Sequence, residues 1–441
     1  MERDALRVLR ENQREILDFL PEDEGCALAL HNMRTGKTLP TAQWVMGQLE
    51  RGKKVLVICP PNVVPVWEKE LAGVGDGHNS RELLILKDSM LRDDDICPKT
   101  KKIRKRKTEL LYKNHWDVVV VDEIHRYRHY KARLRKLRWI SKKSSIRVGL
   151  TGTPFDTCVA EMFYYLQWLT WDSFFGGKIS HKVFYATFCY PIDPNSKFSK
   201  MEIRDDIIGG ILNEMKEFTT FYKTDSVVEP DHVMIKYRLT KEQLELMESV
   251  MYADYNPLFG EGQEEWSAAH RKDKARQIAG GFFIDAFEEV HELCSTRKWA
   301  VFTSWLRNMR GQQVVVWYRY IEERKILEEM LGEYYSIRKF SKRNLIDFRN
   351  REFDIMLCHP RSAGAGVDIS CADVSIFITP NPAWIDNIQS YYRLSRYQGE
   401  EKKVIYHMTS DHVIDTDAFE KLGEKRQTTE WIYREGMKDA V

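Results

Sequence analysis

The 441-residue sequence has no apolar run of about 18 residues, the length needed to cross a bilayer, and no start of the signal-peptide kind. Those two absences predict a chain that is neither membrane-embedded nor secreted. Its eight cysteines (Cys26, Cys59, Cys97, Cys158, Cys189, Cys294, Cys358 and Cys371) lie far apart, with no C-x-x-C pair. That scatter argues against a zinc ribbon or a disulfide framework and fits a reducing compartment. No internal repeat is present. An excess of one charge is also missing, since 68 Lys and Arg stand against 66 Asp and Glu, a net charge of +2. A polyanion would have to be met by local clusters. Two exist, "KTKKIRKRK" (99–107) and "RYRHYKARLRKLR" (126–138), and each fits either a solvated face or a polyanion contact.

What is present is a globular composition, 43% hydrophobic and 30% charged, on a chain too long for one core. Short apolar runs occur in two sets. The first is "CALAL" (26–30), "VLVIC" (55–59), "VVVV" (118–121) and "RVGL" (147–150); the second is "VVVWY" (314–318), "IMLC" (355–358), "SIFIT" (375–379) and "VIYHM" (404–408). Continuous apolar runs separated by helix-length segments predict parallel strands buried on both faces. Amphipathic helices are predicted at 11–20, 40–50, 65–72, 241–252, 321–332 and 415–426. The expected fold is α/β, two parallel-sheet lobes at 1–160 and 301–441, with a largely helical insert and linker at 161–300. The aromatic stretch "MFYYLQWLTWDSFF" (162–175) is expected to be core rather than a base-stacking platform.

The stretch "HNMRTGKTLPT" (31–41) ends like a phosphate-binding loop, but its first glycine position holds His31. The chemistry requires a buried strand, a tight turn exposing N–H groups, and a helix whose N-terminus faces the phosphates. "CALAL" supplies the strand, and Leu39, Pro40 and Thr41 open a helix. Arg34, Thr35, Gly36, Lys37 and Thr38 would then cradle a nucleotide, Lys37 at the β/γ-phosphates and Thr38 on Mg²⁺. In "WDVVVVDEIH" (116–125), Asp122 ends a separate apolar strand, where it would hold the Mg²⁺, and Glu123 would activate the attacking water.

In order, "HNMRTGKT", "DEIH" (122–125), "LTGTP" (150–154), "GAGVDIS" (364–370) and "QSYYRLSR" (389–396) resemble motifs I, II, III, V and VI of superfamily-2 helicases. "LRENQREILDFL" (9–20), "VLVICPPNVVPVWEKEL" (55–71) and "NPAWIDNIQSYYRLSRYQGEEKKVIYHM" (381–408) are similar to the Swi/Snf-type duplex DNA translocases in particular. The resemblance implies two RecA-like lobes, ATP with Mg²⁺, and a nucleic-acid-dependent ATPase. It places Gln13 at the adenine, Gly366 and Asp368 of motif V among the nucleotide-binding residues, and Arg393 and Arg396 as the arginines that neutralise the transition state. It makes Thr151, Thr153 and Gln389 coupling residues, and Pro61, Asn62, Arg128 and Arg361 contacts to a DNA backbone read without sequence preference. The sequence departs from the family at His31 and Asn32 (usually Asp-Glu), Arg34 (usually Gly), Asp368 (usually Asn) and Tyr392 (usually Gly or Asp).

The function expected is therefore an ATP-driven motor, monomeric, moving on and remodelling duplex or branched DNA, with no membrane partner. A strand-separating or branch-migrating helicase is the alternative. A small-molecule P-loop kinase is disfavoured by motifs V and VI, and a dead ATPase by the presence of Lys37, Asp122, Glu123 and Arg396. The compact motif set leads to the expectation of a bacterial or viral protein of the cytoplasm, with a nuclear site left open.

Overall fold

The computed structural model describes residues 8–72, 82–91, 111, 115–129, 132–177, 179–191, 201–224, 228–252, 266–285, 287–293, 297–363, 367–395 and 402–438. The chain divides into two compact units, one made of residues up to 225 together with those from 425 onward, the other of 226–424.

The first unit holds β1 (Gly25–His31), β2 (Val55–Cys59), β3 (Leu83–Lys87), β4 (Val118–Asp122), β5 (Ile146–Thr151), the hairpin β6 (Cys189–Pro191) and β7 (Met201–Ile203), and β8 (Thr219–Tyr222). Six of these form one parallel sheet in the order β3-β2-β4-β5-β1-β8. Every residue of β2, β4 and β5 is buried, as expected for interior strands covered on both faces. Because the strands run in one direction, all their C-terminal ends lie along one edge, where loops collect functional side chains.

The second unit holds β9 (Asp231–Tyr237), the hairpin β10 (Phe282–Ile284) and β11 (Val290–Glu292), β12 (Val314–Trp317), β13 (Ile337–Lys339), β14 (Ile355–Cys358), β15 (Val374–Phe377) and β16 (Val404–Ser410). Its parallel sheet has the order β13-β14-β12-β15-β16-β9. Strand periodicity separates its two cores: Val314 and Val316 join one cluster, Val315 and Trp317 the other. Strand β9 lies at the edge, and its Asp231, His232 and Lys236 are polar enough to discourage pairing with another chain.

Both sheets are of the parallel, helix-covered kind expected. The boundaries at 160 and 300, however, are not those of the two units. Residues 162–224 belong to the first unit, and β9 already belongs to the second. The physical reason is edge completion: β8 pairs with β1 and β9 with β16, each covering an edge the apolar runs alone leave open. The aromatic stretch is indeed core, with Phe163, Tyr165, Leu166, Trp168, Leu169 and Phe174 buried in the first unit.

Candidate functional site

Strand β1 ends at His31, and the chain turns through residues 32–37 into the helix Thr38–Glu50. Two residues of the turn have positive φ, Gly36 at 76° and Arg34 at 65°. Glycine suits 36 because φ 76° strains any side chain, and a Cβ there would also displace the tips of Arg10 and Gln13, whose Nη2 and Nε2 would lie 2.5 and 2.6 Å away. Arg34 adopts the left-handed conformation despite its side chain, which explains why a glycine would suit that position.

The turn is braced from outside. Arg10 Nη2 and Asn12 Nδ2 donate to Thr35 O (2.6 and 3.1 Å), and Gln13 Nε2 donates to Gly36 O (2.9 Å). Thr35 Oγ1 donates to Asn32 O (2.7 Å). Gln13, expected at an adenine, thus also holds the loop backbone, and Arg10 and Asn12 are partners the sequence reading did not single out. The first turn of Thr38–Glu50 has no acidic residue, so its unpaired N–H groups and positive end of the dipole face no carboxylate of their own helix.

Lys37 Nζ donates to His31 O (2.8 Å) and Asn32 O (3.2 Å). Desolvation pushes its pKa below the ordinary lysine range, against the opposing pull of the Glu123 and Asp122 charges. Asp122, at the end of β4, is buried; its Oδ2 accepts from Trp67 Nε1 (2.9 Å) and its Oδ1 from the Glu123 N–H (3.0 Å). Burial raises the Asp122 pKa, while Trp67 and Lys37 pull it back. Glu123 sits at φ 54°, ψ 52°, a left-handed turn that ends the strand and turns its side chain from the strand's alternation.

Behind the carboxylates lies His125. Its Nδ1 is 2.8 Å from Thr151 Oγ1, 3.3 Å from Thr153 Oγ1 and 3.3 Å from Glu123 Oε2. Thr151 Oγ1 donates to Thr153 O and accepts from Thr153 N, so toward His125 it accepts, and the network assigns the neutral Nδ1–H tautomer. Burial and the charges of Arg128, Arg126 and Lys37 hold the His125 pKa well below the histidine range. Thr151 and Thr153 are therefore joined to the Asp-Glu segment through His125.

His31 is fully buried and faces away from the loop. Its Nε2 is 3.1 Å from Thr220 Oγ1, which itself donates to Glu15 Oε1 (2.6 Å), so His31 is the Nε2–H tautomer. Its ring stacks on Tyr222 at 5.3 Å. The residue in the odd first position of the loop is thus a clamp between β1 and β8.

In the second unit, Arg393 is buried near the end of the helix Trp384–Leu394, and its Nη1 donates to Val367 O (3.1 Å). The Ile369 N–H donates to Arg393 O (3.1 Å), Asp368 Oδ1 accepts from Ser370 N (3.1 Å), and Asp368 O accepts from Arg349 Nη2 (2.7 Å). Segments V and VI are thereby held to each other, with Gln389 buried in the same helix. Arg396, Gly366 and the 99–107 run lie outside the described residues. Of the expected DNA contacts, Pro61 is exposed and Asn62 half-buried. Arg128 is engaged by Asp156 (3.1 Å) and Glu161 (3.4 Å), and exposed Arg361 by Asp386 (3.3 Å).

A family model described as the SNF2-related domain matches residues 2–278. The chain belongs to the SNF2-related domain family. Among relatives, it is 23% identical over 451 residues to chromatin remodeling factor mit1 of Schizosaccharomyces pombe, covering 91% of this chain and 31% of that protein. It is 21% identical over 464 residues to mouse chromodomain-helicase-DNA-binding protein 1-like, covering 97% and 50%. Switch 2 of Arabidopsis thaliana is 28% identical over 184 residues, 36% of this chain and 21% of that protein. This SNF2-related chain thus spans at most 50% of the length of these relatives. A solved structure, the Sulfolobus solfataricus SWI2/SNF2 ATPase core in complex with dsDNA, is 18% identical with a TM-score of 0.40, over 98% of this chain and 94% of that one.

Proposed function

We propose that this SNF2-related chain is a DNA-dependent ATPase that translocates on duplex or branched DNA and remodels it. The observation that carries the proposal is that Lys37, at the N-terminal end of the helix Thr38–Glu50, and Asp122 and Glu123, at the end of β4, stand at the C-terminal edge of one parallel sheet. The helix end and the braced turn suit a polyphosphate, whose charge the first-turn N–H groups and Lys37 would meet. Thr38 and Asp122 are the residues that would hold Mg²⁺, which supplies charge neutralisation on the phosphates when bound. Glu123 would orient the attacking water and take its proton, and Trp67 would hold Asp122 in place. The resemblance assigns Arg393 and Arg396 the remaining transition-state charge, an effect worth about 10³–10⁵ in related NTPases. The names of the relatives, chromatin remodeling and DNA-binding helicase proteins among them, favour DNA as the track.

The test is ATP hydrolysis without nucleic acid and with single-stranded, duplex and branched DNA and RNA. Stimulation by duplex DNA, without strand displacement, is expected. Turnover indifferent to every nucleic acid would sink the motor, and strand displacement would make the chain a helicase of the strand-separating kind.

A further inference from the structure

We infer that Tyr433, 281 residues beyond the "LTGTP" segment, is a positioning residue of the proposed ATPase site, acting through the Gly152 carbonyl. The helix Val413–Met437 enters the first unit from Lys425 onward, and there Ile432 and Tyr433 are buried in its core. The helix end is fixed: Lys223 Nζ lies 3.6 Å from Glu430, the Lys223 N–H donates to Met437 Sδ (3.4 Å), and Lys216 Nζ donates to Lys438 O (2.9 Å). Tyr433 Oη donates to Gly152 O at 3.0 Å, a buried bond.

The carbonyl so held lies between the two halves of the site. On one side, a Cβ at Gly152 would lie 3.1 Å from His31 O and from Met33 Cγ, and 3.2 Å from Met33 N. The His31 carbonyl is the one that accepts from Lys37 Nζ. On the other side, Thr151 and Thr153 flank Gly152 and carry the hydroxyls that meet His125 Nδ1, which in turn stands 3.3 Å from Glu123. Rotation of the Gly152 peptide would disturb the lysine's carbonyl and the histidine's hydroxyls together. The glycine has no side chain to resist that rotation, and the Tyr433 hydroxyl supplies the restraint.

This inference rests on the proposed ATPase, and its test has two readouts so that the two can fail separately. The variants are Tyr433→Phe, which removes only the hydroxyl, and Tyr433→Leu, which removes the ring. The Phe variant is expected to melt only a few degrees lower, from the lost buried hydrogen bond, and to keep KM for ATP within about twofold of wild type while kcat falls about three- to tenfold. Long-range ¹H–¹⁵N spectra of histidine-labelled protein are expected to show the His125 ring resonances shifted in the Phe variant. A Phe variant with wild-type kcat and unmoved His125 resonances, while Leu is defective, overturns the inference and leaves Tyr433 a packing residue. If wild type hydrolyses no nucleotide, the proposed function fails and the His125 spectrum decides the remaining link, from the Tyr433 hydroxyl through Gly152 to His125: shifted resonances support that link, unmoved ones overturn it.

Discussion

Each unit holds a lysine near carboxylates, half-buried in the first and fully buried in the second, and the two settings differ. In the second unit Lys298 is fully buried, with Nζ 2.9 Å from Glu323 Oε1 and 2.7 Å from Thr379 Oγ1. Thr379 also donates to Glu323 Oε1, and Glu323 Oε2 accepts the N–H groups of Arg319 (2.9 Å) and Tyr320 (3.2 Å) at the start of the helix Ile321–Leu331. The pair and its hydrogen bonds hold the Glu323 pKa below the carboxylate range in spite of burial. In the first unit Lys37 donates to backbone carbonyls, and Asp122 takes its hydrogen bonds from Trp67 and the backbone. There burial wins, lowering Lys37 and raising Asp122. The second cluster is a closed ion pair that serves the fold. The first keeps its lysine on backbone carbonyls and its aspartate on an indole and a backbone N–H, the arrangement on which the proposed nucleotide site rests.

Exchanging the roles of the two lysines breaks that comparison most severely. Lys37→Ala is expected to abolish ATP turnover while moving stability by less than about 1 kcal/mol, since functional charges are held at some cost to the fold. Glu123→Gln is expected to abolish turnover and keep ATP binding. Steady-state hydrolysis and equilibrium nucleotide binding check both, and near-normal rates in either variant would refute the site. Lys298→Met should do the reverse, destabilising the second unit by about 3–5 kcal/mol because Glu323 is left as a buried unpaired charge. Adding Glu323→Gln, which keeps the helix cap, should restore most of the loss. Chemical denaturation reads this directly, and equal stability losses for the two lysine variants would end the distinction.

The two carboxylates also predict opposite pH dependences. Glu323 has a depressed folded-state pKa, so its stabilisation is present above the unfolded value and is lost as pH falls through the folded one. Asp122 has a raised one, so the folded state binds its proton more tightly and stability falls as pH rises from the ordinary carboxylate range through the folded value. Replacing Trp67 by Phe sharpens this. It removes a donor to the ionised Asp122, so its pKa should rise further and the acid limb of kcat should move to higher pH. Activity at neutral pH should fall about tenfold, the usual scale for a residue that orients a ligand-holding carboxylate. An unchanged pH profile would show that Trp67 serves packing alone.

What was legible in the sequence was local. The "VVVV" run fixed an interior strand, and Asp122 and Glu123 followed it by adjacency; "CALAL" did the same for Lys37 and Thr38. The unread parts join residues far apart along the chain. Lys298 meets Glu323 and Thr379 across 25 and 81 residues, and Tyr433 meets Gly152 across 281. No periodicity carries such pairings, because each is settled by the packing of whole elements. The edge strands β8 and β9 were missed for a related reason. They are short or polar, and their strand character comes from the neighbour they pair with rather than from their own residues.

The smallest effect is expected at Arg34, where the first unit departs from the family inside its own loop. At φ 65° the residue sits where a Cβ is disfavoured, and a left-handed non-glycine costs roughly 1 kcal/mol. Arg34→Gly should relieve that strain but also loosen the unfolded chain, so the net gain is about 0.5 kcal/mol at most. If the arginine only tolerates the turn, the Gly variant will bind ATP as wild type does and melt slightly higher. If its guanidinium meets the nucleotide, KM for ATP will rise in the Gly variant while the melting temperature still rises or holds. Arg34→Lys separates charge from strain, since it keeps both the charge and the strained backbone. A Lys variant that matches wild type in KM beside a Gly variant that does not would assign the arginine a binding role. Equal KM in all three would leave it a tolerated departure in the turn.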